Sequence, residues 1–304
     1  MLIQLLVNHY NESEETVRRF LDSLAFQEVD WNDVEILICS DGTSLPEGLL
    51  ESYDIPIRYE SLPHSGVCHT RNVLLDKSTA DYVMFCDIDD CLHSTLGLYR
   101  IIKAINDIGS DIIASPYEVE DNGTYRTEKR DVIHVFGKAF RRGYLTDNAI
   151  RFPDEMPISG DTYFLWLAFN LSPSIVWIKD SFYVWKQNWS SVTRGEDWHR
   201  AKTYSLMLHG YELLYQELGR RHRDDLQAML IGAVFAMMYD NAHDDEYADA
   251  PDEISDAMAS ARWAFASEHI DQYRSLDYKI RKGSLAVKSQ AYDVSELDEW
   301  VEVI

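Results

Sequence analysis

Tyr82-Val83-Met84-Phe85-Cys86-Asp87-Ile88-Asp89-Asp90 is the stretch whose reading decides the fold: an apolar run that ends in three carboxylates within four residues. A short β-prone apolar run bounded by polar residues predicts a buried strand, with the acids at its carboxyl end. That end is where open α/β sheets bind ligands. Acids crowded there repel one another. A hard divalent cation such as Mg²⁺ or Mn²⁺, shared with substrate phosphates, would relieve them. The plainer reading is solvated loop acids, or a cap for the following helix.

Working outward, Leu2 to Val7 reads as a first strand, and Ser13-Glu14-Glu15 opens a helix whose apolar positions Val17, Phe20, Leu21 and Leu24 share one face. Val34 to Cys39 and Ile57 to Glu60 are further strands, and Gly66 to Leu75 is a loop entering a helix. Strands alternating with helices predict βαβ units and a mostly parallel mixed sheet, an α/β nucleotide-binding domain. Downstream, Leu96 to Ile108 is helical and Asp111 to Ser115 strand-like. Asp121-Asn122-Gly123 signals a hairpin. Val132 to Ala139 reads as another strand, Gly160 to Phe169 as a helix, and Ser174 to Trp185 as one or two strands. After Gly195 the periodicity is helical over Trp198–Leu218, Asp224–Tyr239 and Pro251–Ser267, with an acid-rich loop before the last. The expected organisation is an α/β nucleotide-binding domain over 1–194 and a helical C-terminal region over 195–304, an appendage that shapes the neighbouring site or a homodimer interface.

The 304 residues carry 52 Asp and Glu against 28 Lys and Arg, a net charge of −24, which disfavours non-specific binding to nucleic acid. Cys39, Cys68, Cys86 and Cys91 have no CxxC spacing and suit reduced thiols, so the expected location is cytoplasmic. Met1 to Val7 lacks a basic n-region, and no apolar run is long enough for a transmembrane segment.

Four segments converge on one end of the sheet: His9-Tyr10-Asn11-Glu12, Asp41-Gly42, His69-Thr70-Arg71-Asn72 and Asp87-Ile88-Asp89-Asp90. In this order the chain resembles the family 2 glycosyltransferases, whose catalytic domain has the GT-A fold. Their pattern is a Tyr-Asn-x-Glu turn, an Asp-Gly turn, an Ala-Arg-Asn helix start, here with Thr70 for Ala, and a DxD metal motif. Ser159-Gly160-Asp161-Thr162 is similar to the family's Glu-Asp pair, with Gly160 in place of Glu. The segment Trp185 to Arg194 is similar to the loop that closes over the donor. The processive Gln-x-x-Arg-Trp motif is absent.

The resemblance implies transfer of a single sugar from a nucleotide-sugar donor, expected to be UDP-linked, to a hydroxyl acceptor, with inversion and with Mn²⁺ or Mg²⁺. Asp161 is then the catalytic base, although Gly-Asp-Thr at a helix start is also what N-capping selects. Asp89 is the first metal ligand. Asp87 assists it or holds the ribose, Asp90 ligates or orients, and His199 is a further candidate ligand. Tyr10 stacks on the base or packs over its strand, and Glu12 and Asp41 accept from base or ribose or serve turn chemistry. Arg71 pairs with phosphate or acts as a structural ion-pair partner. Trp189 and Arg194 belong to the donor-closing segment. The acceptor is expected to be a glycan precursor, with a hydroxymethylated base of viral DNA as the alternative. A non-catalytic nucleotide-sugar-binding module, motivated by Gly160, is the competing class. A nucleotidyltransferase ranks below it, since the first turn has no glycine-rich phosphate loop.

Overall fold

The computed structural model describes residues 1–186, 200–243, 252–288 and 293–304. The chain divides into two compact units, Met1–Trp189 and Ser190–Ile304. The boundary expected after Arg194 lies outside the described residues.

In the first unit the elements are β1 (Ile3–His9), α1 (Glu14–Ala25), β2 (Val34–Asp41), β3 (Ile57–Leu62), α2 (Val67–Lys77), β4 (Tyr82–Asp87), β5 (Cys91–Leu92) and α3 (Gly97–Ile108). They are followed by β6 (Ile112–Ala114), β7 (Tyr117–Asp121), β8 (Thr124–Glu128), β9 (Lys138–Arg141), α4 (Arg142–Asp147), α5 (Gly160–Leu171), β10 (Ile175–Trp177) and β11 (Tyr183–Lys186). Seven strands form one sheet in the order β10-β6-β9-β4-β1-β2-β3, and β5-β11-β7-β8 form a second. β4, β1, β2 and β3 run parallel, while β9 is antiparallel to both its neighbours, β4 and β6. The sheet is therefore mixed and mostly parallel, as the alternation of elements predicts.

Alternate strand residues feed two layers. Ile3, Leu5, Val7, Ile36 and Met84 pack with Val17, Phe20 and Leu21 of α1 and with Leu98 and Ile101 of α3. Phe85 and Phe140 meet Phe152 and Phe164, the last two rings stacked at 4.3 Å. Helix α1 begins as its sequence dictates: the Ser13 hydroxyl accepts from Thr16 N at 3.2 Å. The Asn122-Gly123 turn of the β7–β8 hairpin has φ of 50° and 82°, the left-handed pair that such a tight turn needs.

One expected strand is corrected. Val132 to Phe136 is irregular, and β9 starts only at Lys138. The Asp131 carboxylate accepts from His134 N at 2.9 Å and Ile133 N at 3.3 Å, and Gly137 sits at φ +68°, so the ends of the stretch are turned out of strand geometry.

The second unit is helical over its described residues: α6 (Arg200–Arg220), α7 (Asp224–Ala242), α8 (Asp252–Ser275), α9 (Tyr278–Lys288) and α10 (Val294–Val301). α7 is apolar around most of its circumference and touches each of the other four. Basic runs that could suggest a phosphate-rich or membrane surface are locally paired: Arg221 with Glu217, Arg223 with Asp225 and Arg281 with Asp298, each at 2.7–2.8 Å. No helix among the described residues is long and apolar enough to cross a membrane.

Candidate active site

Register sets the scaffold. His9 lies opposite Ser40, and Asn8 opposite Asp87, so the carboxyl ends of β2, β1 and β4 stand side by side. The buried His9 ring bonds Ser40 Oγ at 2.7 Å through Nδ1. The Glu12 carboxylate accepts from Tyr10 N at 2.9 Å and lies 3.7 Å from His9 Nε2. Tyr10 is 43% exposed, and its ring stacks on His64 at 4.8 Å, leaving an accessible aromatic surface.

Asp41 is buried at the end of β2 and gathers three donors: His64 Nδ1 at 3.0 Å, Ser65 N at 2.6 Å and Gly66 N at 2.9 Å. Its carboxylate thus fixes the loop that enters α2. Gly42 follows at φ +83°, where an added Cβ would lie 2.6 Å from His64 Cβ, so this turn admits only glycine.

The three acids beyond β4 are not equivalent. Asp90 is 1% exposed and turned inward, accepting from Tyr183 OH at 2.7 Å and Lys186 N at 2.9 Å. The same Tyr183 hydroxyl accepts from Asp87 N at 3.0 Å, so one phenol closes both ends of the turn. Burial, reinforced by the charges of Asp89 and Asp87, pushes the Asp90 carboxyl well above the usual carboxylate range. Asp87 and Asp89 remain half-buried. Arg19 of α1 donates to the Asp89 carbonyl at 2.7 Å.

Two accessible carboxylates at a strand tip fit a Mg²⁺ or Mn²⁺ ion that takes its other oxygens from water and substrate phosphate. Among the described residues, three ligand atoms within 4.8 Å of one another occur only at Glu212, Glu268 and His269, in the helical unit. Tyr183→Phe removes the hydroxyl that bridges Asp87 and Asp90. It is expected to cost about 1–3 kcal/mol in denaturant unfolding and to weaken Mn²⁺ binding, read by titration.

Arg71, 6% exposed at its side chain, joins the acidic turn after β4 to Asp161 at the start of α5. Its Nη2 bonds Asp87 Oδ1 at 2.8 Å, and its Nη1 bonds Asp161 Oδ1. Burial works against this charge, but Asp161 and Asp87 outweigh it and hold the guanidinium above its ordinary value. The next residue, Asn72, clamps the segment before α5, donating to Phe152 O and Asp154 Oδ1 and accepting from Phe152 N.

Asp161 does not cap α5. It lies in the first turn, after Ser159 at φ +61°, which makes no side-chain cap. Its second oxygen, Oδ2, accepts from Val135 N at 3.0 Å. Gly160 has a packing reason: a Cβ there would come 2.3 Å from Cys68 Sγ on α2, so the Glu of the family pattern has no room. Gly160→Ala is expected to lose about 1–3 kcal/mol by overpacking. In thermal melts, adding Cys68→Ala should return much of that loss.

Tyr183, Lys138 and Asp131 were not singled out in the sequence. Tyr183 sits in a stretch read simply as strand. Lys138 carried a signal, a lone cation at the end of an apolar run, which the strand reading absorbed. Its side chain is fully buried, and Nζ bonds Asp131 Oδ2 at 3.1 Å. Both pKa values fall, for different reasons. Burial lowers Lys138, whereas in Asp131 the same burial penalty is overcome by His134 and Lys138, which bring it to about 2. The carboxylate charge is secure, and the ammonium bears the strain of burial. Trp189, Arg194 and His199 lie outside the described residues.

The description "Glycosyl transferase family 2" matches residues 5–165, more than half the chain. A poly(ribitol-phosphate) beta-N-acetylglucosaminyltransferase, TarS of Staphylococcus aureus, is 22% identical over 93% of this chain. The chain spans only 56% of that relative's length. The crystal structure of S. aureus TarS 1-349 with UDP-GlcNAc superposes with a TM-score of 0.69 at 19% identity, covering 96% of this chain and 94% of that one. A mannosyltransferase from Pyrobaculum calidifontis, with GDP-Man and Mn²⁺, superposes with a TM-score of 0.53 at 12% identity, covering 99% and 83%. The mixed sheet flanked by helices is thus of the GT-A type. With the matched span running from β1 through Asp161, the chain belongs to glycosyl transferase family 2.

Proposed function

We propose that the chain is a metal-dependent inverting glycosyltransferase of the cytoplasm. It moves one sugar from a UDP-linked donor, with UDP-GlcNAc the first candidate, to a hydroxyl of a glycan precursor. The observation that carries this reading is the single buried guanidinium of Arg71, shared between Asp87 of the acidic turn and Asp161 at the start of α5. It ties the group proposed to face the leaving diphosphate to the group proposed to take the acceptor proton. The UDP-GlcNAc complex of S. aureus TarS supports the choice of donor.

Tyr10 and His64 offer the nucleobase a stacked aromatic face, Glu12 an acceptor, and Asp41 a loop held in shape. Asp89 and Asp87 would hold Mn²⁺ or Mg²⁺, which when bound neutralises the departing diphosphate. Arg71 adds a fixed positive charge beside it. Asp161 accepts the proton of the acceptor hydroxyl as that oxygen attacks the anomeric carbon from the face opposite the diphosphate, and a single displacement inverts the centre. Each Asp161 oxygen uses one lone pair on Arg71 or Val135 and keeps another for this proton. The diphosphate is a second anion for Arg71, which then faces the leaving group as well as Asp161.

The test is UDP release from UDP-GlcNAc with Mn²⁺, with and without a glycan acceptor. Chelation by EDTA should reduce release to background, and Mn²⁺ should restore it. If UDP-GlcNAc, UDP-glucose and GDP-mannose all bind without transfer or hydrolysis, the non-catalytic reading motivated by Gly160 replaces this one.

A further inference from the structure

We propose that Lys138, together with Asp131, is a positioning residue for Asp161, acting through the peptide group between His134 and Val135. The inference rests on Asp161 being the base.

Lys138 Nζ donates to the His134 carbonyl at 2.7 Å, to the Phe136 carbonyl at 3.3 Å and to Asp131 at 3.1 Å. The His134 carbonyl and the Val135 N–H are opposite ends of one planar amide. The lysine holds the oxygen end, and the nitrogen end donates to Asp161 Oδ2 at 3.0 Å. Because the amide is rigid, fixing its oxygen aims its N–H at the carboxylate. The cation also polarises the amide and strengthens the donor.

Asp131 completes the device from the other side. Its carboxylate pairs with Lys138 and accepts from His134 N at 2.9 Å, so both peptide groups of His134 are fixed. The segment from Val132 to Phe136 lies outside the sheet ladders, and these bonds take over the job of holding it. A fully buried lysine is costly unless paired and hydrogen-bonded. A methionine would fill the same space more cheaply, so the ammonium itself is what this position requires. The groups facing Asp161 are then Arg71 and Cys68 from α2, and Val135 N, with Lys138 behind it.

The full chain with Lys138→Met, and the charge-neutral double variant Lys138→Met with Asp131→Asn, test this. For each, UDP-GlcNAc binding gives affinity and the fraction of competent sites by calorimetric stoichiometry, and transfer gives kcat per competent site and donor KM. The expected result is a fall in kcat per competent site of fivefold or more in at least one variant that binds, with donor KM and affinity within twofold of the parent. A smaller fall overturns the proposal, as does loss of donor affinity in parallel with kcat. Asp161→Asn in the same assay separates the two levels. If it retains full turnover, the assignment of the base fails and takes this inference with it. If it is inactive while the Lys138 variants are unimpaired, only the positioning role fails.

Discussion

Asp161→Asn is expected to lower kcat for sugar transfer by about 10²–10⁴-fold, the range for removing a general base, with UDP-GlcNAc affinity within twofold of the parent. The geometry makes this substitution informative and slightly destabilising. Asp161 faces two donors, Arg71 Nη1 on Oδ1 and Val135 N on Oδ2. An asparagine presents one oxygen and one NH₂, so one of these donors must face another donor. That mismatch is expected to cost about 1–3 kcal/mol in unfolding experiments. Donor titration then separates chemistry from folding, since a folded variant still binds UDP-GlcNAc. Undiminished turnover would remove Asp161 from the role of base.

Arg71→Met is expected to have the second largest effect, because it leaves Asp87 and Asp161 as two carboxylates with their shared counter-charge gone. Breaking a buried pair on one side costs about 3–5 kcal/mol. Both acids are about a quarter or less exposed, which places the expected loss toward the lower end. Removal of a fixed charge from the leaving group is expected to lower kcat/KM by about 10²–10³-fold. Arg71→Lys should recover only part of either loss, because a single ammonium lacks the planar fork that reaches both carboxylates at once. Denaturant melts and steady-state kinetics on the two variants check this; equal activity of the Lys variant and the parent would count against the bridging role.

Much of the first unit was legible because the patterns are local. The alternation of apolar strands with amphipathic helices is written within β1, α1, β2 and β4, and the Ser13 cap and the Asn122-Gly123 turn are set by near neighbours. The division of labour among Asp87, Asp89 and Asp90 was not legible. Three like residues within a span of four are told apart by Tyr183, nearly a hundred positions away. Asp41 shows the same limit: Asp-Gly announces a turn, but the donors that occupy its carboxylate come from residues 64–66.

Val132 to Ala139 misled for a different reason. Its apolar, β-prone residues Val132, Ile133, Val135 and Phe136 read as strand, while the competing backbone bonds of Asp131 and the buried Lys138 depend on burial, which composition does not report. In the second unit, long stretches of helical periodicity with few Pro or Gly inside them revealed α6, α7 and α8. α9 and α10 are short, and Arg281 of the basic run Lys279 to Lys282 turns out to pair with Asp298 of α10.

The acidic turn occupies a mechanical joint. Only Ile88, Asp89 and Asp90 separate the last residue of β4 from the first of β5, and these strands belong to different sheets. The latch on the turn, Tyr183 and Lys186, is carried by β11 of the smaller sheet. The bonds that hold the Asp90 side chain therefore come from the four-stranded sheet and not from the seven-stranded one. The cation affinity proposed for the turn would then be a gauge of how firmly four short strands hold together. A substitution in the β7–β8 hairpin is then expected to weaken the proposed Mn²⁺ binding, read by titration.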